Sequence, residues 1–169
     1  MSILIKNVIL NNQKKDILIE ENKIKQIDDE INSSVEEVID CKEKRAILPG
    51  FVNCHTHLAM TLFRGFADDL TFNEWLFNKI IPAEEKLTNE DIYFGSKLAL
   101  IEMIKSGTTF LNEMYFLKGL SGSIKAIEEM GLRAVVGITV DDANFEKVKD
   151  FKIPQKTELI DFSIAPHAI

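Results

Sequence analysis

Short runs in which β-branched residues alternate with polar ones fill the N-terminal stretch: Ile3 to Leu10, Asp16 to Glu20, Lys23 to Ile27 and Glu36 to Ile39. Polar turns at Glu21-Asn22 and Asn32-Ser33-Ser34 separate them, which predicts a small antiparallel unit. The pattern changes at Pro49-Gly50, where longer apolar runs begin to alternate with helical stripes. Thr88 followed by Asp91 forms a capping-box signature. Phe94, Leu98, Ile101 and Ile104 then recur at helical spacing until Ser106-Gly107, so a long helix is expected there. Thr108 to Asn112 reads as a buried strand. Leu120, Ile124 and Ile127 give a second helical stripe ended by Gly131, and Ala134 to Val140 and Ile160 to Ala165 give two more apolar runs.

With Ala46 to Asn53 as the first, these are four strands joined through helices, and the crossover rules make them parallel β/α units. A (β/α)₈ barrel takes about 250 residues, so the expectation is an α/β fold holding the first half of such a barrel, in a chain cut from a longer one. The alternative is an open four-stranded sheet complete in itself.

Charge narrows the function classes. The 169 residues carry 20 Lys+Arg against 27 Asp+Glu, a net charge of −7. The acidic balance is spread along the chain, which argues against a nucleic-acid partner, since that would need a clustered basic face. Arg45, Arg64 and Arg133 are the only arginines. Cys41 and Cys54 are too few for a disulfide framework and lack C-x-x-C spacing, so both read as reduced thiols. Lys6 interrupts the apolar N-terminus, and no apolar run approaches the roughly 18 residues that span a bilayer. A cytoplasmic protein with no membrane partner is expected.

The chemistry concentrates in Leu48-Pro-Gly-Phe-Val-Asn53-Cys54-His55-Thr56-His57. Side chains two apart on a strand leave the same face, so His55 and His57 project together from Cα positions about 6.5 Å apart. They can converge on one metal, at the strand end where β/α barrels place their sites. The alternative is two histidines making local hydrogen bonds. Cys54 faces the other way and reads as a packed thiol. A catalytic zinc takes three protein ligands and water, so further ligands are expected beyond Ile169.

The run Pro49-Gly-Phe-Val-Asn-Cys-His55-Thr-His57-Leu-Ala-Met-Thr-Leu-Phe-Arg64-Gly65 is followed by Asp68-Asp69-Leu, Glu74-Trp75-Leu, Pro82-Ala-Glu84 and Ser163-Ile-Ala-Pro-His167. Together these resemble the amidohydrolase superfamily, most closely its methylthioadenosine/S-adenosylhomocysteine and 5′-deoxyadenosine deaminases. The resemblance implies a distorted barrel holding one divalent metal, commonly zinc, with a β-sandwich built from both termini. Residues 1–48 would form the N-terminal portion of that sandwich and 49–169 the first four barrel strands. His55 and His57 match the first two metal ligands, and Glu84 and His167 match substrate-binding residues. The proton-shuttling catalytic pair and the remaining ligands match nothing here and are expected beyond Ile169.

From the residues alone, Glu84 sits in a charged, loop-like stretch that also suits solvated surface. Trp75 suits either a purine pocket or a core. Arg64-Gly65 and Asp68-Asp69 read as shaping a loop, and Glu113 stands where the resembling proteins often carry aspartate. The implied reaction is metal-dependent hydrolytic deamination of an adenine nucleoside with release of ammonia, and the chain as it stands is expected to be inactive. The alternatives are a guanine or cytosine deaminase, or an inactive structural fragment. The expected partner is a small nucleoside, with self-association left open. Relatives acting on S-adenosylhomocysteine carry arginines after the third strand to clamp its carboxylate. Gly137 to Asn144 holds none, which implies a preference for 5′-deoxyadenosine or methylthioadenosine.

Overall fold

A computed structural model describes residues 1–142 and 144–167. They fall into two compact units, Met1–Pro49 and Gly50–Ile169. The first is a four-stranded sheet of β1 (Ser2–Leu10), β2 (Gln13–Glu20), β3 (Lys23–Asp28) and β4 (Glu37–Asp40), in the order β3-β2-β1-β4. β1, β2 and β3 form the expected antiparallel meander, but β4 lies parallel to β1. The sheet is therefore mixed rather than antiparallel. The long connection after β3 lets the chain return beside β1 in the same direction. Reciprocal bonds hold it there: Ser2 N donates to Glu36 Oε2 (2.8 Å) and Glu36 N donates to Ser2 Oγ (3.1 Å). Asp16 is buried at the centre of this unit, where its carboxylate accepts from the Asn7 and Ile31 amides.

The second unit begins with β5 (Phe51–Thr56) and a 3₁₀ turn over Leu58–Phe63. α1 (Phe72–Trp75), a π-turn (Leu76–Ile80), α2 (Ile81–Glu84) and α3 (Asn89–Lys105) follow. Then come β6 (Thr108–Tyr115), a 3₁₀ turn over Leu117–Gly119, α4 (Leu120–Met130), β7 (Arg133–Val140), α5 (Phe145–Val148) and β8 (Ile160–Pro166). All four strands are parallel and lie in sequential order, β5-β6-β7-β8, which is the strand order of one side of a (β/α)₈ barrel. All four C-terminal ends therefore open toward the same rim.

Local signals account for the helices. Thr88 Oγ1 accepts from the Asp91 amide (3.2 Å) while Asp91 Oδ2 accepts from the Thr88 amide (2.8 Å), so the capping box forms at the start of α3. α4 ends where Gly131 adopts φ +72°, a left-handed conformation that glycine reaches without a Cβ clash. The first barrel strand starts later than its apolar pattern suggests, at Phe51. Ala46 instead bridges to Ile9 within the N-terminal unit, and the segment past Pro49-Gly50 pairs with β6 through Thr56.

α3 exists where expected but turns a different face inward. Phe94, Leu98, Ile101 and Ile104 are exposed, and Ile92, Gly95, Ser96, Ala99 and Leu100 are buried. Small residues win the inner face because the helix lies very close to the 3₁₀ turn: a Cβ on Gly95 would stand 2.8 Å from Leu62 Cγ. The core between sheet and helices is built from Leu58, Leu100, Leu111, Ile127, Val136, Ile138 and Ile160, all fully buried. Leu111→Ala should lower the unfolding free energy by about 2–5 kcal/mol through lost apolar contact and the cavity left behind, measured by denaturant titration.

Candidate active site at the strand ends

His55 is the next-to-last residue of β5 and His57 follows the strand directly, so the pleat sends both rings to one side. Their Nε2 atoms stand 3.2 Å apart with the ring planes at 89°. His57 Nδ1 is 2.8 Å from the Met114 carbonyl on β6. A carbonyl only accepts, so Nδ1 carries the proton and Nε2 of the neutral ring presents a lone pair. Fixing a tautomer through the second ring nitrogen is the usual way a protein prepares an imidazole to bind a metal. The donor set therefore fits a cation held between the two Nε2 atoms. Among the described residues no group of three or more His, Cys, Asp or Glu side chains is gathered for a metal, so the pair supplies two ligands.

Cys54, just before them, is exposed, not packed as its alternation suggests. β5 is an edge strand of the sheet, paired with β6 on one side and with no strand on the other among the described residues.

Glu113, to which the sequence assigns no role, is also a member of this rim. It is completely buried on β6, and its Oε2 accepts from the Leu58 amide (3.0 Å), the residue after His57. Burial pushes its carboxyl up to about 8, while the Leu58 amide and the nearby Ser123 hydroxyl pull the other way. Together with the Met114 carbonyl it clamps residues 57 and 58 against β6. A buried glutamate cannot be inferred from the apolar pattern of the strand, though its place near a parallel strand's C-terminal end was a usable signal.

Glu84 and His167 share a separate cavity of about 620 Å³. Glu84 closes α2, so the segment that reads as a charged loop is helical. The half-buried carboxylate faces the cavity along with Phe77, Ile81, Ile92 and Phe116. His167 follows β8, where its amide donates to the Val140 carbonyl (2.8 Å), and its ring meets Phe116 edge-on at 6.1 Å. Among the described residues no hydrogen bond joins this pair to His55 and His57.

Trp75 is not in the cavity wall. Its Nε1 donates to the Phe66 carbonyl (3.2 Å), and Phe77 and Phe116 supply the aromatic surface instead. Arg64 forms a bidentate pair with Glu102 on α3, both bonds 2.8 Å, and so ties the turn after the histidines to that helix. Arg133 starts β7 at the opposite end of the sheet, over the Phe110 ring.

Parallel β/α strands with two converging histidines at the C-terminal end of the first define an α/β chain of half-barrel topology with a candidate metal site, and residues 46–168 match the amidohydrolase family model. The chain belongs to the amidohydrolase family. It is 48% identical over 162 residues to a 5′-deoxyadenosine deaminase of Methanocaldococcus jannaschii, covering 95% of this chain and 38% of that protein. It is 44% identical to a 5-methylthioadenosine/S-adenosylhomocysteine deaminase of Thermococcus sibiricus, covering 96% of this chain and 39% of the relative. The chain thus spans about two-fifths of the length of these relatives.

Among solved structures, the zinc-bound adenosine deaminase of Xanthomonas campestris superposes with a TM-score of 0.78 at 26% identity, over 98% of this chain and 42% of that one. The family and that zinc support a divalent metal for this protein. Among the described residues no helix is long and apolar enough to cross a membrane.

The raised Glu113 carboxyl makes stability depend on pH. The folded state holds this proton more tightly than the unfolded chain, so the contribution is complete below the ordinary glutamate value of 4.5 and is lost as pH rises to about 8. The melting temperature, measured with a chelator present, should fall between pH 5 and pH 9, and Glu113→Gln should flatten that fall. A wild-type slope retained in the variant would assign the titration to another group.

Proposed function

We propose that this chain is the metal-bearing part of an enzyme that hydrolytically deaminates an adenine nucleoside at C6, releasing ammonia. The observation that carries the proposal is the pair of Nε2 atoms 3.2 Å apart at the end of β5, on the strand-end side that also holds a largely apolar cavity lined by the Glu84 carboxylate and the His167 imidazole. The names of the relatives above support the substrate class. In this reading His55 and His57 are two ligands of a divalent cation, zinc in the first instance, within a barrel closed by further strands. A cation bound there supplies Lewis-acid activation of water at neutral pH.

The chain's own residues supply the binding geometry. The Met114 carbonyl holds His57 in the tautomer whose Nε2 is free, and the Glu113 carboxyl anchors the following turn so that neither ring drifts. Phe77, Ile81, Ile92 and Phe116 surround the nucleoside with apolar surface that excludes water. Glu84 accepts from the ribose hydroxyls, and its charge strengthens those bonds. His167, standing at the end of β8 against Phe116, contacts the substrate from the opposite wall.

The wall also bears on which nucleoside is taken. Glu84, Glu85, Asp141 and Asp142 line it, no arginine does among the described residues, and the Lys118 ammonium donates to the Glu85 carbonyl. A substrate ending in a carboxylate would meet net negative charge without a bidentate partner. A hydrogen or methylthio group at C5′ needs only apolar contact. The full-length protein should therefore show a kcat/KM for 5′-deoxyadenosine or methylthioadenosine at least about tenfold above that for S-adenosylhomocysteine. A clear advantage for S-adenosylhomocysteine would overturn the preference.

His55→Ala and His57→Ala should each lose bound metal, measured by elemental analysis of the purified protein, and lose activity with it. Full occupancy in either variant would remove that residue from the ligand set.

A further inference from the structure

Two buried side-chain atoms among the described residues make no hydrogen bond of good geometry: Glu113 Oε1 and the Tyr115 hydroxyl. Glu113 already uses its other oxygen on Leu58, whereas Tyr115 has only the one polar atom. Tyr115 ends β6 and is 3% exposed, packed with Ala59 and Ile92. Its ring is held fast, because the chain passes so close that a Cβ on Gly119 would stand 2.7 Å from Cε1. Phenylalanine would fill this niche equally well, and an unmade hydrogen bond on a buried hydroxyl costs about 1–3 kcal/mol. The oxygen is therefore unexplained by packing. Tyr115 lines the same cavity as Glu84. Burial, and next the adjacent Glu84 carboxylate, push the phenol well above its ordinary value, so it remains a protonated donor throughout the working pH range.

We infer that Tyr115 is a positioning residue for Glu84: its O–H donates to one carboxylate oxygen when a nucleoside fills the cavity, leaving the other oxygen to accept from the ribose. This rests on the reading of Glu84 as the ribose-binding carboxylate. Without a second anchor, a glutamate at the end of a one-turn helix can adopt several rotamers, most of which turn it from the sugar. A phenol already held rigid selects one of them as the nucleoside enters, and because the ring itself needs no further ordering the cost of binding is lower. The residue acts through Glu84 and touches no reacting atom.

The test is Tyr115→Phe in the full-length protein, beside Glu84→Gln and the double variant, with 5′-deoxyadenosine and its analogue lacking the 2′ and 3′ hydroxyls. The expected result is a KM for 5′-deoxyadenosine raised about tenfold in Tyr115→Phe, with kcat changed less than about threefold. The analogue should show no such penalty, and the double variant should be no worse than Glu84→Gln alone. The melting temperature should hold or rise, since an unpartnered buried hydroxyl is removed. An unchanged KM in Tyr115→Phe while Glu84→Gln is impaired would overturn the inference and leave the reading of Glu84 standing. Unchanged kinetics in both variants would overturn that reading and the inference with it. A lower melting temperature with equal losses on both substrates would make Tyr115 a packing residue and overturn the inference.

Discussion

The arrangement depends on the parallel pairing of β5 with β6, and above all on three contacts where that pairing ends. Thr56 stands opposite Glu113, the Leu58 amide donates to the Glu113 carboxyl, and His57 Nδ1 bonds the Met114 carbonyl. Backbone pairing alone would bring the histidines to the rim with free ring orientation. The carbonyl selects the tautomer and the carboxyl selects the path of the chain leaving the strand, so two short-range bonds turn a strand end into a pair of converging donors. Glu113 bears the burden of this, since a carboxyl in an apolar layer is held neutral by desolvation.

The same strand serves the neighbouring cavity. Side chains of β6 alternate, so Leu111, Glu113 and Tyr115 share the face turned toward the helices. Leu111 is core, Glu113 braces the turn after the histidines, and Tyr115 reaches the cavity wall. Close approach of the elements makes this work. Gly119 lets the loop after β6 press on Tyr115 and Ile92, and Gly95 lets α3 press on the turn after β5. Small residues at these crossings bring the rim and the helix layer close enough for one strand to support both features.

The polar balance of the cavity is a second consequence of topology. The loop after β7 contributes Asp141 and Asp142, α2 and the residue after it contribute Glu84 and Glu85, and the two arginines of this unit are placed elsewhere, Arg64 on Glu102 and Arg133 at the start of β7. Under the proposed function, a pocket so lined would discriminate by the charge of what enters, because an uncompensated carboxylate brought out of water beside other carboxylates is strongly disfavoured.

Much of the architecture is legible in the residues themselves. The four apolar runs, the helices between them and the rim position of His55-Thr56-His57 follow from periodicity of two and 3.6 and from the parallel-crossover rule, which are properties of neighbouring residues. The capping box at Thr88 and the glycine stop at Gly131 are equally local. The parallel placement of β4, the inward face of α3, the exposure of Cys54, the helical setting of Glu84, the buried Glu113 and the unpartnered Tyr115 hydroxyl are not. Each depends on which element lies opposite. Phe94 and Leu98 carry the stronger apolar signal on α3, yet Gly95 and Ala99 face the core because only small side chains fit where two backbones nearly touch. Sequence pattern reports what a residue prefers. The distance to the facing backbone, which exists only once the strands have paired, decides what it is allowed.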